Sequence, residues 1–555
     1  MRNLVLTLAA MLCVQLSFSQ VKNIEYSAPF EEPLKGWYKV MQLKNGNTFY
    51  FTFNNEGVTV TVYKPDRKLA ARKVLAGKIW DAKDMKNSIM EGIYEIDGKP
   101  VIFLQQEEKK RPVLFRIQLN PENGSISDEA EIGRMEKGYS GMANYMLQDY
   151  AKVPPQDFVV EKDPYSESYA VMAYDTHADD KENRVVVSHY TVEGGKHTLV
   201  NKKPYHFDSK FILYIGMCVN GSESVNIAFY EYNRANAFGY ESDKYKDSRV
   251  LLSKLGENDN EFTNAVLPFD EEMQRTHGLM VYNPFTQMIQ LLTITLLESK
   301  GGVAYYMGLV SYIDPNTLQL LKKVTIPADM LNNNLKSKFN VKNDFRGLPI
   351  NMLLNNDNST TLLAEETSEF AINSSSTSID FRNLGVITMD ATGTDVDAFG
   401  MIKHQVATGH PMDFFYYAKK GKGLWSYVTR RGMTMYTPDD NRSFYSFDYV
   451  NTAANNKYII FNDSRDNYKG TERVTNIKEL KPIKYVTESI AMIHKMTYNK
   501  IESNYLYGKP ANDNSGTICN VESSHFVKET GVYAALMIKR NGKEKKAYIS
   551  WVTLE

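Results

Sequence analysis

Cysteine is scarce: there are three in 555 residues, at positions 13, 218 and 519. That is too few for a disulfide-stapled scaffold. Neither sign of charge is in excess, since 65 Lys and Arg oppose 66 Asp and Glu for a formal net charge of −1. Such a balance provides no general field for nucleic acid or for an anionic membrane. The one basic stretch, Lys539–Lys546, reads as a solvated hairpin around Asn541-Gly542. Beyond the N-terminus no apolar run reaches the ~18 residues that cross a bilayer. Ile212–Val219 and Leu291–Leu297 are both too short, so no membrane span is expected.

Catalytic signatures are missing as well. The nearest approach to a GxSxG nucleophile elbow is Gly138-Tyr139-Ser140-Gly141-Met142, with methionine at the last glycine. There is no P-loop, and Gly421-Lys422-Gly423 lacks the third glycine of a dinucleotide fingerprint. Nine histidines are present without zinc spacing: His189 and His197 flank a turn, and His404 and His410 lie six apart. No metal and no cofactor are expected.

What the chain has is aromatic residues, 36 Tyr and 26 Phe, with many β-branched neighbours, a composition suited to half-buried strands. It is too long for one ordinary core, so it forms several domains or a radial repeat. Arg2, the apolar stretch Leu4–Leu16 and the small residues around Ser17-Phe18-Ser19 make residues 1–19 a secretion signal cleaved before Gln20. Large Leu12 before Cys13 argues against lipidation. In the exported chain Cys218 and Cys519 are expected as separate buried thiols.

The repeating unit is clearest at 348–402. LPINMLL, TTLLAEE, NLGVITM and VDAFGMI are four strand-length runs, separated by Asn355–Asn358, a polar insertion and Asp390–Thr394. Four short antiparallel strands of this kind form a propeller blade. Similar units begin near residues 37, 92, 168, 211 and 278, and one or two less regular units follow 404. The fold expected is an all-β propeller over residues 20–555 with minor helix, of seven blades by preference and six or eight by allowance. A short helix is expected at Ser140–Tyr150 and one helical turn within Leu331–Phe339. The chain ends on a strand, as propellers do when one terminus completes the last blade.

Three stretches resemble one family: TTLLAEE with NLGVITMDATGTDVDAFGMIKHQ, SFYSFDYV with NKYIIFNDSRDN, and SESYAVMAYD with VVVSHYTVEGGKHTLVNKKPYHF. Together they are similar to uncharacterised secreted β-propeller-like proteins of the Bacteroidetes type. The family pattern carries a tryptophan where Val396–Phe399 stands here. The resemblance covers about half of the chain and implies the fold and export, with no activity to carry over.

Candidate binding residues follow from two sources. The longest insertions, Asn233–Ser248, Glu369–Arg382 and Thr429–Arg442, carry Tyr240, Tyr245, Met433, Met435 and Tyr436 among polar residues, an adaptable surface if they gather on one face. Asn462, Asp463 and Asn467 end an apolar strand; they either bond blade to blade or line a channel-mouth pocket. Glu365 and Glu366 adjoin on a strand and point to opposite faces, so neither can be the other's acid/base partner. Asp390–Asp397 lacks the ligand spacing of a calcium loop and reads as a hairpin turn. The expectation is an exported binding or scaffold protein of the periplasm or outer-membrane periphery, with a protein or glycan partner. The alternative is a polysaccharide hydrolase or lyase that draws its carboxylates from separate blades.

Overall fold

The computed structural model describes residues 20–33, 37–54, 57–85, 88–137, 157–175, 184–209, 211–233, 248–268, 274–298, 304–355, 357–373, 376–409, 444–483, 485–497, 500–512 and 515–555. Their strands form eight antiparallel sheets of propeller-blade type, four strands each with one short addition. In chain order the blades span 37–74, 89–134, 157–204, 211–267, 274–325, 348–401, 448–505 and 515–554. Eight is the upper of the expected counts. The two irregular units after 404 each complete a blade.

Blade 1 shows why the sequence folds this way. Thr48–Asn54 and Gly57–Tyr63 alternate aromatic or valine with threonine, and Phe49, Phe51, Phe53, Val60 and Val62 are fully buried. Strands buried on both faces lose the simple polar alternation. The outer strand Leu69–Val74 is exposed and carries Arg72 and Lys73, charges that discourage edge-to-edge pairing. Buried apolar layers fill the spaces between neighbouring blades, for example Leu43, Phe51, Val60, Leu104 and Phe115 between blades 1 and 2.

The ring closes as the C-terminal strand suggests. Val21–Tyr26 pairs with Glu544–Leu554 and becomes the fourth strand of blade 8, with Ile24 opposite Val552 and Tyr26 opposite Ser550. Trp551, 1% exposed, donates its indole N–H to Thr48 Oγ1 of blade 1 at 2.9 Å. Cys218 in blade 4 and Cys519 in blade 8 are buried and not joined by a disulfide, as expected of blades on opposite sides of the channel.

Three local expectations need correction. The insertion Glu369–Arg382 continues the sheet, because Thr360–Asn373 and Ser376–Met389 form one long hairpin, and Gln405–Gly409 adds beside it. Ser446 sits at φ 66° and donates its N–H to Gln405 Oε1 at 2.7 Å, so the run SFYSFDYV, whose composition suits a strand throughout, joins a strand only from Asp448, as Asp448–Asn451. The helix expected as one turn runs over Asp329–Phe339 and buries Leu331, Leu335 and Phe339, the two leucines against Gly385 and Gly400 of blade 6. The expected helix Ser140–Tyr150 lies outside the described residues.

Candidate functional site

Strand order fixes which connections share a face. Each blade runs inner strand, second, third, outer, and the outer strand leads to the next inner strand. The first-to-second and third-to-fourth turns therefore share one face. The second-to-third loops and the blade-to-blade crossovers share the other, called here the crossover face. Every turn-face connection is short, two to six residues, as at 97–98, 163–168, 314–319 and 390–394. The strand ends that flank the longest connections, 75–88, 135–156, 233–248, 326–347, 402–447 and 465–488, are all at the crossover face. The chain thus elaborates one face only.

Tyr240 and Tyr245 lie between the strand ends Tyr232 and Arg249; Met433, Met435 and Tyr436 lie in the crossover from blade 6 to blade 7. All five fall outside the described residues.

The remaining candidates, in blades 6 and 7, are buried and hydrogen-bonded. Asn462, 1% exposed, donates Nδ2 to the carbonyls of Phe444 and Cys519, both at 2.7 Å, and accepts the Cys519 N–H at 2.9 Å. Glu365 is ion-paired with Lys403 and accepts the Ser446 hydroxyl at 2.6 Å. Lys403 also donates to Gln405 Oε1 at 2.9 Å. Burial pushes the Glu365 carboxyl up and the Lys403 ammonium down; for both, desolvation outweighs the partner. Asn467 clasps the insertion 465–488, donating to the Lys481 carbonyl at 3.0 Å and accepting its N–H at 2.7 Å. Asp463 accepts from Ser464, Asn467, Tyr468 and Arg473. Of these residues, Asn462 bonds blade 7 to Cys519 of blade 8, whereas Asp463 and Asn467 bond within blade 7. Glu366 faces elsewhere, as strand alternation requires, accepting from Arg346 N and Asn383 Nδ2. Asp390 Oδ1 accepts the N–H groups of Thr392 and Thr394, so it serves its own hairpin turn.

A second cluster escaped the sequence. On the inner strand of blade 8, Asn520 pairs with Leu536 and His525 with Ala534, so Val521–Ser524 bulge opposite the single residue Ala535. Such bulges re-aim side chains. Ser523 N–H donates to Asn520 Oδ1 at 3.0 Å and Ser524 Oγ to the Val521 carbonyl at 2.9 Å, which closes the bulge into a turn. Its groups reach both neighbouring inner strands. Glu522 Oε1 accepts the Trp37 indole at 3.1 Å, Lys39 Nζ donates to the Ser524 carbonyl at 2.9 Å, and Ser524 Oγ donates to Asp448 of blade 7. Asp448 and Trp37 open their inner strands, which places the cluster toward the crossover face. Asp448 is 4% exposed and Glu522 5%. The only hint in the sequence is the polar run Asn520–His525 where an inner strand should be apolar. Among the described residues, no group of three or more His, Cys, Asp or Glu is placed to hold a metal, and no helix is long and apolar enough to cross a membrane.

No family model and no curated protein matches the chain. Among solved structures, a prolyl endopeptidase analysed for inter-domain dynamics is 11% identical with a TM-score of 0.34, over 92% of this chain and 55% of that one. Prolyl oligopeptidase B from Galerina marginata is 8% identical with a TM-score of 0.36, over 94% and 55%. A polysaccharide lyase, an ulvan lyase, is 9% identical with a TM-score of 0.37, over 87% of this chain and 96% of that one. The chain spans about half the length of the prolyl peptidases it matches. Likeness at this level assigns no activity.

Proposed function

We propose that this β-propeller is an exported binding or scaffold protein of the bacterial envelope that engages a protein or glycan partner on its crossover face. The observation that carries the reading is the asymmetry of the connections, short on one face and long on the other. Connections tolerate insertion and carry recognition, while strands must pack. The secretion signal in residues 1–19 and the resemblance to secreted Bacteroidetes-type proteins support export to the periplasm or outer-membrane periphery. The second reading, a polysaccharide hydrolase or lyase, is favoured by one feature: Asp448 and Glu522 come from different blades and both belong to the cluster at the bulge 521–524.

One experiment separates the two. Purified chain 20–555 is run in affinity gels containing neutral, uronic or sulfated polysaccharides, and the same mixtures are assayed for new reducing ends and unsaturated products. Retardation without product supports the binding reading. Product that disappears in Asp448→Asn or Glu522→Gln establishes the enzyme reading instead. Neither retardation nor product removes the glycan as partner.

A further inference from the structure

Arg473 ends the small hairpin Tyr468–Arg473 inside the blade 7 insertion, and its side chain is 6% exposed. Its Nε donates to Asp463 Oδ2 at 2.8 Å and to Tyr468 OH at 3.2 Å. The guanidinium lies over the rings of Phe461 and Tyr468, at 5.6 and 5.9 Å. Its two terminal nitrogens, Nη1 and Nη2, are buried and have no protein hydrogen-bond partner. Buried donors left unbonded are rare, and charged ones are the most costly.

The neighbouring carboxylates cannot take up these donors. Asp463 already accepts four bonds, from Ser464 N and Asn467 Nδ2 on one oxygen and from Tyr468 OH and Arg473 Nε on the other. Four is about the capacity of a carboxylate. Glu365 is engaged by Lys403 and Ser446. The outer edge of the guanidinium therefore presents a parallel pair of N–H donors, the geometry that matches two oxygens of one anion. We propose that the Nη1–Nη2 edge of Arg473 is a binding site for a small oxyanion: a carboxylate, phosphate or sulfate. Burial beneath the hairpin restricts the ligand to a small free ion. The site lies within the crossover-face connection 465–488, but its donors are buried, so it is tested apart from any large partner and stands whether or not that partner is found.

The test uses chain 20–555, refolded in acetate, phosphate or sulfate, or in sodium chloride at matched ionic strength. The expected result is a saturable rise in the thermal midpoint with at least one oxyanion and none with chloride. Arg473→Lys, which keeps the charge and loses the fork, abolishes that rise. Should the variant fail to fold, crystals of the wild-type chain grown with selenate give a second readout: an anomalous selenium peak within hydrogen-bond distance of Nη1 and Nη2. An equal rise with chloride, no rise at all, a saturable rise retained in Arg473→Lys, or selenate bound only elsewhere overturns the proposal and leaves ordered water as the acceptor.

Discussion

Replacing Asn462 by leucine tests how the ring holds blade 7 to blade 8. Leucine keeps the branched outline of asparagine and is larger, so the change opens no cavity and acts through lost polarity and some overpacking. It removes three bonds: two from Nδ2 to the Phe444 and Cys519 carbonyls at 2.7 Å, and one from the Cys519 N–H at 2.9 Å. Each buried group that loses its partner costs about 1–3 kcal/mol, so the three together cost about 3–6 kcal/mol after local relaxation. An unfolding entropy of ~2.1 cal/mol/K per residue over 555 residues gives about 1.2 kcal/mol per kelvin. The thermal midpoint should therefore fall by about 3–5 °C, read by calorimetry or tryptophan fluorescence. Asn462→Asp should be no milder, because it turns the donor that faces two carbonyls into an acceptor. A leucine variant that melts with the wild type, or a tolerated aspartate, would show that Asn462 is not the staple described.

Three other outcomes follow from buried groups. Lys403→Met leaves the Glu365 carboxylate without its ion partner and should destabilise by about 3–5 kcal/mol, while Glu365→Gln with Lys403→Met should recover most of the loss in thermal unfolding; a double variant no better than the single one contradicts the pairing. Burial, reinforced by Arg116, holds His197 down at about 4. The unfolded chain therefore takes up this proton first, and the resulting stability is intact above pH ~6.5 and lost on acidification towards pH 4. In His197→Gln the slope of midpoint against pH over that window should become shallower, and an unchanged slope refutes the assignment. Burial pushes the Cys218 thiol far up, so native chain 20–555 should react slowly with thiol reagents; the denatured, unreduced chain should titrate two thiols, and none would indicate a disulfide.

The fold was legible where strands keep their regular alternation, and much less of the site was. Runs such as Thr48–Asn54 and Gly57–Tyr63 combine β-branched and aromatic residues with turn residues on both sides, which local chemistry alone determines. Exposed outer strands such as Ile126–Arg134 are polar and escaped notice, because they pack on one side only. The hairpin beyond Glu366 looked like a serine-rich loop; long-range pairing, and not composition, makes it sheet. The inner strand of blade 8 is hard to read because Ser515–Val527 breaks its pattern at the bulge of Glu522, Ser523 and Ser524. Asn462 and Asp463 stand out in the sequence as polar ends of an apolar strand. Their partners, Cys519 and Arg473, are distant or separated by a turn, so only the folded ring shows what they serve.

Hydrogen–deuterium exchange of the chain with and without a polysaccharide or peptide that it retains tests the central claim most directly. A partner on the crossover face should slow exchange in the connections 75–88, 205–210, 326–347 and 465–488, and leave the turns 64–68, 163–168, 314–319 and 390–394 unchanged. Protection of those turns with none on the crossovers would place binding on the opposite face and contradict the account.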